Sequence, residues 1–241
     1  MIYATSDLHG YPLDRFKKLL DKARFGDDDY LFVLGDVIDR NGDGGVEMLR
    51  WMMLQPNVEL ILGNHEAMLL ACAFLFEEIT EDAIDGLTKE QVGALSDWQY
   101  NGAQPTLDAL HALRKADAEA LTDILDYLRD APLYDTVSVA GRDYLLVHSG
   151  LEGFDPDRPL SDYSADELLW RSPDPAQRYY EDVLTVLGHT PTQFYGCPGR
   201  AFKTDTWIDI DTSVIGKDAG ASADSAPMLL RLDDMAEFYA D

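Results

Sequence analysis

Two stretches place an oxygen donor and an imidazole together at the end of an apolar run, a pairing that suits a divalent transition metal. Gly63-Asn64-His65-Glu66 follows Val58-Glu59-Leu60-Ile61-Leu62, and Ser6-Asp7-Leu8-His9-Gly10 follows the short run from Ile2 to Thr5. In extended backbone, residues two apart share a face, so Asp7 and His9 are expected to converge while Leu8 faces the core. A third run, Tyr30 to Leu34, ends in Gly35-Asp36-Val37-Ile38-Asp39-Arg40, which adds two carboxylates and a guanidinium. Tyr144 to Val147 ends in His148-Ser149-Gly150, and Val183 to Leu187 ends in Gly188-His189-Thr190. Taken singly, each group also fits an ordinary role: a capped turn for Asp7 and His9, a solvated pair of little energetic weight for Asp39 and Arg40, a turn for Asn64-His65. Taken together, these strand ends are better explained by one site assembled from separated segments.

The elements that must position these groups are legible in the apolar periodicity. Leu13, Phe16, Leu20 and Ala23 fall at helical spacing and end near Gly26, and Val46, Leu49 and Met53 suggest a second helix. Strand, helix, strand, helix, strand predicts parallel pairing through helical crossovers, with ligands outside the carboxyl ends of the strands. Residues 67 to about 130 read as a helical insertion, with apolar faces at Leu107, Leu110 and Leu113 and at Leu121, Ile124, Leu125 and Leu128. Its turn signals are Asp85-Gly86 and Asn101-Gly102, the span 86–102 is a candidate lid, and it carries no ligand cluster; His111 reads as a surface or partly buried histidine. Tyr134 to Val139 and Tyr144 to Val147 form a predicted hairpin around Gly141. Gln193 to Tyr195, Ala201 to Thr204, Trp207 to Ile210 and Met228 to Leu232 read as short strands of a second sheet, with a Gly/Ala/Ser-rich loop over 216–225. Residues 1–241 are expected to form a single α/β domain.

The chain has 241 residues, 46% of them hydrophobic, which is enough for a full core. A formal charge of −26 argues against a nucleic-acid or anionic-membrane surface, so any phosphate site must be locally positive against an adverse field. Only Cys72 and Cys197 are present, which argues against a disulfide framework or a thiolate metal site. No apolar run is long enough to cross a bilayer and no charged leader precedes Asp7, so the expected location is cytoplasmic.

The donors are carboxylates, an amide oxygen and imidazoles without thiolate, and they are too many for one tetrahedral ion. Two ions roughly 3.5–4 Å apart can activate a hydroxide and clamp a phosphoryl oxygen for in-line displacement. Asp36, at the central strand end, is the natural bridge.

The ordered set Asp7-Leu8-His9-Gly10, Gly35 to Arg40, Gly63 to Glu66, His148-Ser149-Gly150 and Gly188-His189-Thr190 resembles the motifs of the calcineurin-like metallophosphoesterases, more narrowly the bacterial and phage branch of the serine/threonine phosphoprotein phosphatases. Ile208-Asp209-Ile210-Asp211-Thr212 is similar to that family's late strand. The resemblance implies a four-layer α/β/β/α sandwich of two mixed sheets and a pair of divalent ions, manganese first, with iron, zinc or magnesium as alternatives. It assigns Asp7, His9 and Asp36 to one ion and Asp36, Asn64, His148 and His189 to the other. His65 becomes the proton donor to the leaving group, with Asp39 beside it and Arg40 on the phosphate. Asp39 is expected to raise the His65 pKa by favouring imidazolium. Arg171, in Leu169-Trp170-Arg171-Ser172, is the expected second phosphate ligand, one position earlier than in the family, with Arg178 as the substitute. Ser6, Asn41 and Ser213 stand where the family usually has glycine.

The resemblance implies hydrolysis of phosphomonoesters, phosphoserine, phosphothreonine or phosphotyrosine in a phosphoprotein or a small phosphoester. The alternatives are a diadenosine tetraphosphate-type hydrolase on the same core, whose members usually have glutamine in place of His9, and a non-catalytic binding module, against which the intact ligand set argues.

Overall fold

The apolar runs become strands because their side chains alternate between two cores, as a period of two requires. In the computed structural model, which describes residues 1–76, 87–213 and 226–240, β1 (Ile2–Thr5) sends Tyr3 to one cluster and Ala4 to another. Helix α1 (Leu13–Ala23) leads to β2 (Tyr30–Leu34), where Leu31 and Val33 face the first cluster and Phe32 and Leu34 the second. Helix α2 (Val46–Met52) leads to β3 (Val58–Ile61) in the same way. The polar residues at the strand ends therefore emerge where the alternation stops.

Helix α3 (Asn64–Ala71) starts directly on the site motif. Helices α4 (Lys89–Tyr100), α5 (Gln104–Ala116) and α6 (Ala118–Asp130) bury Trp98, Leu110 and Ile124 in the cluster that covers the outer face of the first sheet. The Asp85-Gly86 turn signal, residue 86 of the candidate lid and the loop at 216–225 lie outside the described residues.

Strands β4 (Tyr134–Val139) and β5 (Arg142–Val147) form the expected hairpin. After the short α7 (Ala165–Leu169) come β6 (Val183–Leu187), β7 (Phe202–Lys203), β8 (Trp207–Asp209), β9 (Met228–Arg231) and β10 (Ala236–Tyr239). One sheet runs β10-β9-β1-β2-β3, with β1, β2 and β3 parallel and β9 and β10 added antiparallel on one side. The other runs β4-β5-β6-β8-β7, with a parallel centre and an antiparallel strand at each edge. Ala4, Phe32, Leu146, Val186 and Ile208 fill the space between the sheets, and Val147, Leu168, Tyr179 and Trp207 pack on the outer face of the second. This is the expected α/β/β/α arrangement, with a thin outer layer of α7 and loops on one side.

Two short segments depart from expectation. Thr192–Tyr195 is a 3-10 turn, because Pro191 offers no N–H to a ladder and Gly196 closes the turn at φ 79°. Met228–Arg231 joins the first sheet, antiparallel to β1, and brings Ala236–Tyr239 with it as an edge strand. Among the described residues no helix is long and apolar enough to cross a membrane.

Candidate active site

Five strand ends, three from the first sheet and two from the second, deliver their polar groups to one place. The loops after β1 and β2 are laced together by backbone bonds from Asp7 N–H to the Gly35 carbonyl, His9 N–H to Asp36 and Gly10 N–H to Val37. Asp7 and His9 are not extended, as expected from the sequence, but left-handed at φ 53° and 42°, and this coil is what turns both side chains inward. Asp36, Asp39, Arg40 and His189 are left-handed as well, so six of the nine non-glycine residues of positive φ among the described residues belong to this site. Leu8 is fully buried, as expected. The segments approach so closely that a Cβ on Gly35 would lie 2.5 Å from the Gly63 Cα, and one on Gly188 would lie 2.3 Å from an Asp7 carboxylate oxygen.

Asp36 is the hub. Its Oδ2 lies 3.7 Å from His9 Nε2 and 3.7 Å from His65 Nε2, while Oδ1 lies 3.4 Å from His148 Nε2. His9, Asp36 and His65 form one group of convergent donor atoms, and Asp36, His148 and His189 form another. Asn64 Oδ1 sits 2.8 Å from His148 Nε2 and 2.9 Å from His189 Nδ1, and Asp7 Oδ1 sits 3.8 Å from His9 Nε2. The seven expected inner residues thus meet.

Backbone carbonyls orient the rings. His9 Nδ1 lies 3.0 Å from the Ile38 carbonyl and His148 Nδ1 2.7 Å from that of Leu34, which places the proton on Nδ1 and leaves Nε2 facing inward. Burial lowers the pKa of His9 and His148 and pushes His189 down to about 3, so all three rings are neutral, the form that binds metal. Burial, and then the neighbouring carboxylates Asp211 and Asp36, raise Asp7; burial and Glu66 raise Asp36. Crowded carboxylates, neutral imidazoles, an amide oxygen and a buried Asp7 Oδ1 that lacks a hydrogen-bond partner form a donor set that fits divalent cations.

The surroundings of His65 differ. Its Nδ1 is 2.6 Å from Asp39 Oδ2, and Arg40 Nη2 is 3.1 Å from Nε2. Guanidinium has no acceptor, so in this arrangement Nε2 accepts and Nδ1–H donates to Asp39. The expected upward shift of His65 is not what its surroundings produce: burial, then the Arg40 guanidinium and His148, hold it well below the usual imidazole value. Burial instead raises Asp39 to about 7.

Arg171 and Arg178 are not drawn into this cluster. Arg171 pairs with Glu152 at 3.1 Å and Arg178 with Asp205 at 3.4 Å, both toward solvent. Ser6 and Asn41, which stand where glycine is usual, each bond into the site: Ser6 Oγ lies 2.5 Å from Asp7 Oδ2, and Asn41 Nδ2 donates to the His9 carbonyl.

Several contributors escape a sequence reading. Glu66, which the sequence suggests is merely an early-helix charge, is fully buried and accepts N–H bonds from Asp36, Val37, Ile38 and Gly63 at 2.8–3.2 Å. Its position three residues after the N-cap Gly63 was the available signal. Asp209 and Asp211 are buried beside the cluster, and Ser213 donates to Asp211 from both N–H and Oγ. Trp98 and Thr106, from α4 and α5, donate to Asp39 at 2.7 and 2.5 Å.

Residues 1–210 match the model of the calcineurin-like phosphoesterases. The chain belongs to this family. Its curated relatives include symmetrical bis(5'-nucleosyl)-tetraphosphatases from Chromobacterium violaceum, 33% identical over 80% of the chain and 57% of the relative, and from Actinobacillus succinogenes, 31% identical over 62% and 44%. One from Acidovorax sp. is 28% identical over 70% of the chain and 47% of the relative. The chain spans about half the length of these curated relatives. Among solved structures, one described as a candidate diadenosine tetraphosphatase superposes with a TM-score of 0.61 at 15% identity, covering 99% of the chain and 91% of its own. A protein serine/threonine phosphatase from Saccharomyces cerevisiae superposes at 0.55 and 16% identity, covering 99% and 78%. These two likenesses show the calcineurin-like fold.

Proposed function

We propose that this chain is a metal-dependent phosphohydrolase that cleaves a phosphoanhydride of dinucleoside polyphosphates. The observation that carries the substrate class is the run of bis(5'-nucleosyl)-tetraphosphatases among its curated relatives, which favours this alternative over the phosphoprotein substrate expected from the sequence. Two groups of convergent donors, His9 with Asp36 and His65, and Asp36 with His148 and His189, support two ions. With Asp7 Oδ1 3.8 Å from His9 Nε2 and Asn64 Oδ1 beside His148 and His189, we assign one ion to Asp7, His9 and Asp36 and the other to Asp36, Asn64, His148 and His189, leaving His65 as the acid. When bound, such ions supply Lewis acidity toward a phosphoryl oxygen and a nucleophile at neutral pH.

The chain's own residues do the rest. Arg40 offers its planar fork to a phosphate oxygen, and in doing so leaves His65 Nε2. His65 is then free to hold a proton on Nε2 while its Nδ1–H remains on Asp39. As water adds to phosphorus and the bond to the leaving oxygen breaks, that proton passes from Nε2 to the leaving oxygen. The shared outer cluster of α4–α6 supports reading residues 1–241 as one domain around this site.

A second reading, hydrolysis of phosphomonoesters in proteins, is the one implied by the resemblance of Asp7-Leu8-His9-Gly10 and Gly63-Asn64-His65-Glu66 to the motifs of the phosphoprotein phosphatases. Hydrolysis of diadenosine tetraphosphate and of a phosphoserine peptide, compared by kcat/KM under the same manganese concentration, decides between them. Preference for the peptide would overturn the first reading.

A further inference from the structure

We propose that the corner between α4 and α5, residues 98–106, positions the proton donor: Trp98 and Thr106 fix the Asp39 carboxylate, and through it the His65 ring, while Gly102 fixes the backbone of Arg40. The inference rests on reading His65 as the acid of the proposed reaction.

The geometry is specific. Asp39 and Arg40 are consecutive left-handed residues at φ 75° and 68°, so local backbone preference does not hold them. Three side chains converge on the Asp39 carboxylate. His65 Nδ1 and Trp98 Nε1 reach the same oxygen, Oδ2, at 2.6 and 2.7 Å, and Thr106 Oγ1 reaches Oδ1 at 2.5 Å. The Thr106 hydroxyl also accepts the Asp39 N–H at 3.0 Å. Both Trp98 and Thr106 are fully buried, so neither bond competes with water. From the same corner the Gly102 carbonyl accepts the Arg40 N–H at 2.9 Å, and a Cβ on Gly102 would lie 3.0 Å from Arg40 Cγ. An indole needs only one acceptor to be buried without cost. Here that acceptor is the oxygen that also aims His65. The donors lock the carboxylate plane against rotation, and the plane of Asp39 sets the direction of Nε2.

The alternative is that Trp98 and Thr106 are core residues whose polar atoms are merely satisfied. Trp98→Phe keeps an aromatic ring and removes the N–H; Thr106→Val keeps the volume and removes the hydroxyl; Thr106→Ser restores the hydroxyl. The variants are assayed with manganese on phenyl phosphate, whose leaving group needs a proton, and on 2,4-dinitrophenyl phosphate, whose leaving group does not. In Trp98→Phe and Thr106→Val, kcat on phenyl phosphate is expected to fall roughly 10–100-fold, the usual effect of losing an outer hydrogen-bond partner, with a much smaller fall on the dinitrophenyl ester and recovery in Thr106→Ser. Equal loss on both esters, or no loss, overturns the inference. If Trp98→Phe does not fold, the Thr106 pair carries the test. A second arm uses the metal-free protein and proton–nitrogen NMR of the histidine rings. Removal of either donor is expected to move the His65 Nδ1–H resonance, and an unchanged resonance overturns the inference. If the wild type hydrolyses neither ester, the NMR arm decides the positioning, and the proposed function is tested separately by hydrolysis of diadenosine tetraphosphate: failure there defeats that function and leaves the NMR result standing.

Discussion

The two sides of Asp36 are held by different means. His9 and His148 direct Nδ1 at the backbone carbonyls of Ile38 and Leu34, whereas His65 directs Nδ1 at the carboxylate of Asp39, itself gripped by Trp98 and Thr106. Burial keeps His9 and His148 neutral, while the carbonyls fix which nitrogen turns inward, and together these suit the rings to ligation. His65 is buried and held low as well, but its partner is an ionisable carboxylate that burial raises to about 7. The ligand side is therefore set by the fold of the sheets, and the acid side by individual side chains of a segment far away in sequence.

The sharpest way to break this comparison is at the hub. Asp36→Asn is expected to weaken both ion sites together and to lower activity by more than the roughly 10–100-fold typical of outer-partner changes, as read by manganese titration calorimetry and turnover. Loss of one site alone would separate the two clusters. His65→Asn should retain metal and lose about 10²–10⁴-fold on poor leaving groups; equal loss of metal and activity would move His65 to the ligand side. Glu66→Ala strands four buried N–H donors and is expected to cost at least about 3 kcal/mol in urea unfolding, because this one carboxylate holds the backbone that carries the ligands; a cost below about 1 kcal/mol would mean that the sheet alone holds it.

The charge of Asp39 gives a further test. Its folded pKa of about 7 lies above its ordinary value of 3.8, so the folded metal-free protein binds a proton there that the unfolded chain has released. The associated stability is fully present below pH 3.8 and is lost as pH rises through 7. Asp39→Asn does not titrate, so metal-free wild type should lose stability relative to this variant between pH 5 and pH 8 in denaturant titrations. A constant gap would mean that Asp39 is ionised throughout. The smallest effect is expected for Arg171→Ala: its partner is the half-exposed Glu152, and such pairs contribute about 0–1 kcal/mol. A loss in kcat/KM well beyond tenfold would place Arg171 on the phosphate after all.

What the sequence revealed and what it hid follow the same division. Asp7, Asp36, Asn64, His148 and His189 were legible because an apolar run and the polar residue that ends it are neighbours in the chain. The grip on Asp39 was not, because Trp98 and Thr106 lie 59 and 67 positions away and look like ordinary residues of amphipathic helices. Glu66 stood in plain view beside His65, but three of its four partners are the N–H groups of Asp36, Val37 and Ile38, 28–30 positions earlier, which reach it only when β2 and β3 pair. Met228–Arg231 was recognisable as a strand, yet which sheet it joins is set by long-range pairing with β1. The Asp7–His9 spacing suggested the right convergence through the wrong backbone, because nothing local marks a left-handed aspartate.

That left-handed backbone has a consequence for anyone who would engineer or evolve this protein. Asp7, His9, Asp36, Asp39, Arg40 and His189 each occupy a conformation that disfavours a side chain by about 1–2 kcal/mol. Glycine would relax that strain at several of these positions. A library selected for heat resistance alone should therefore drift toward glycine there, while one selected for turnover should hold the strained residues and find its stabilising changes elsewhere.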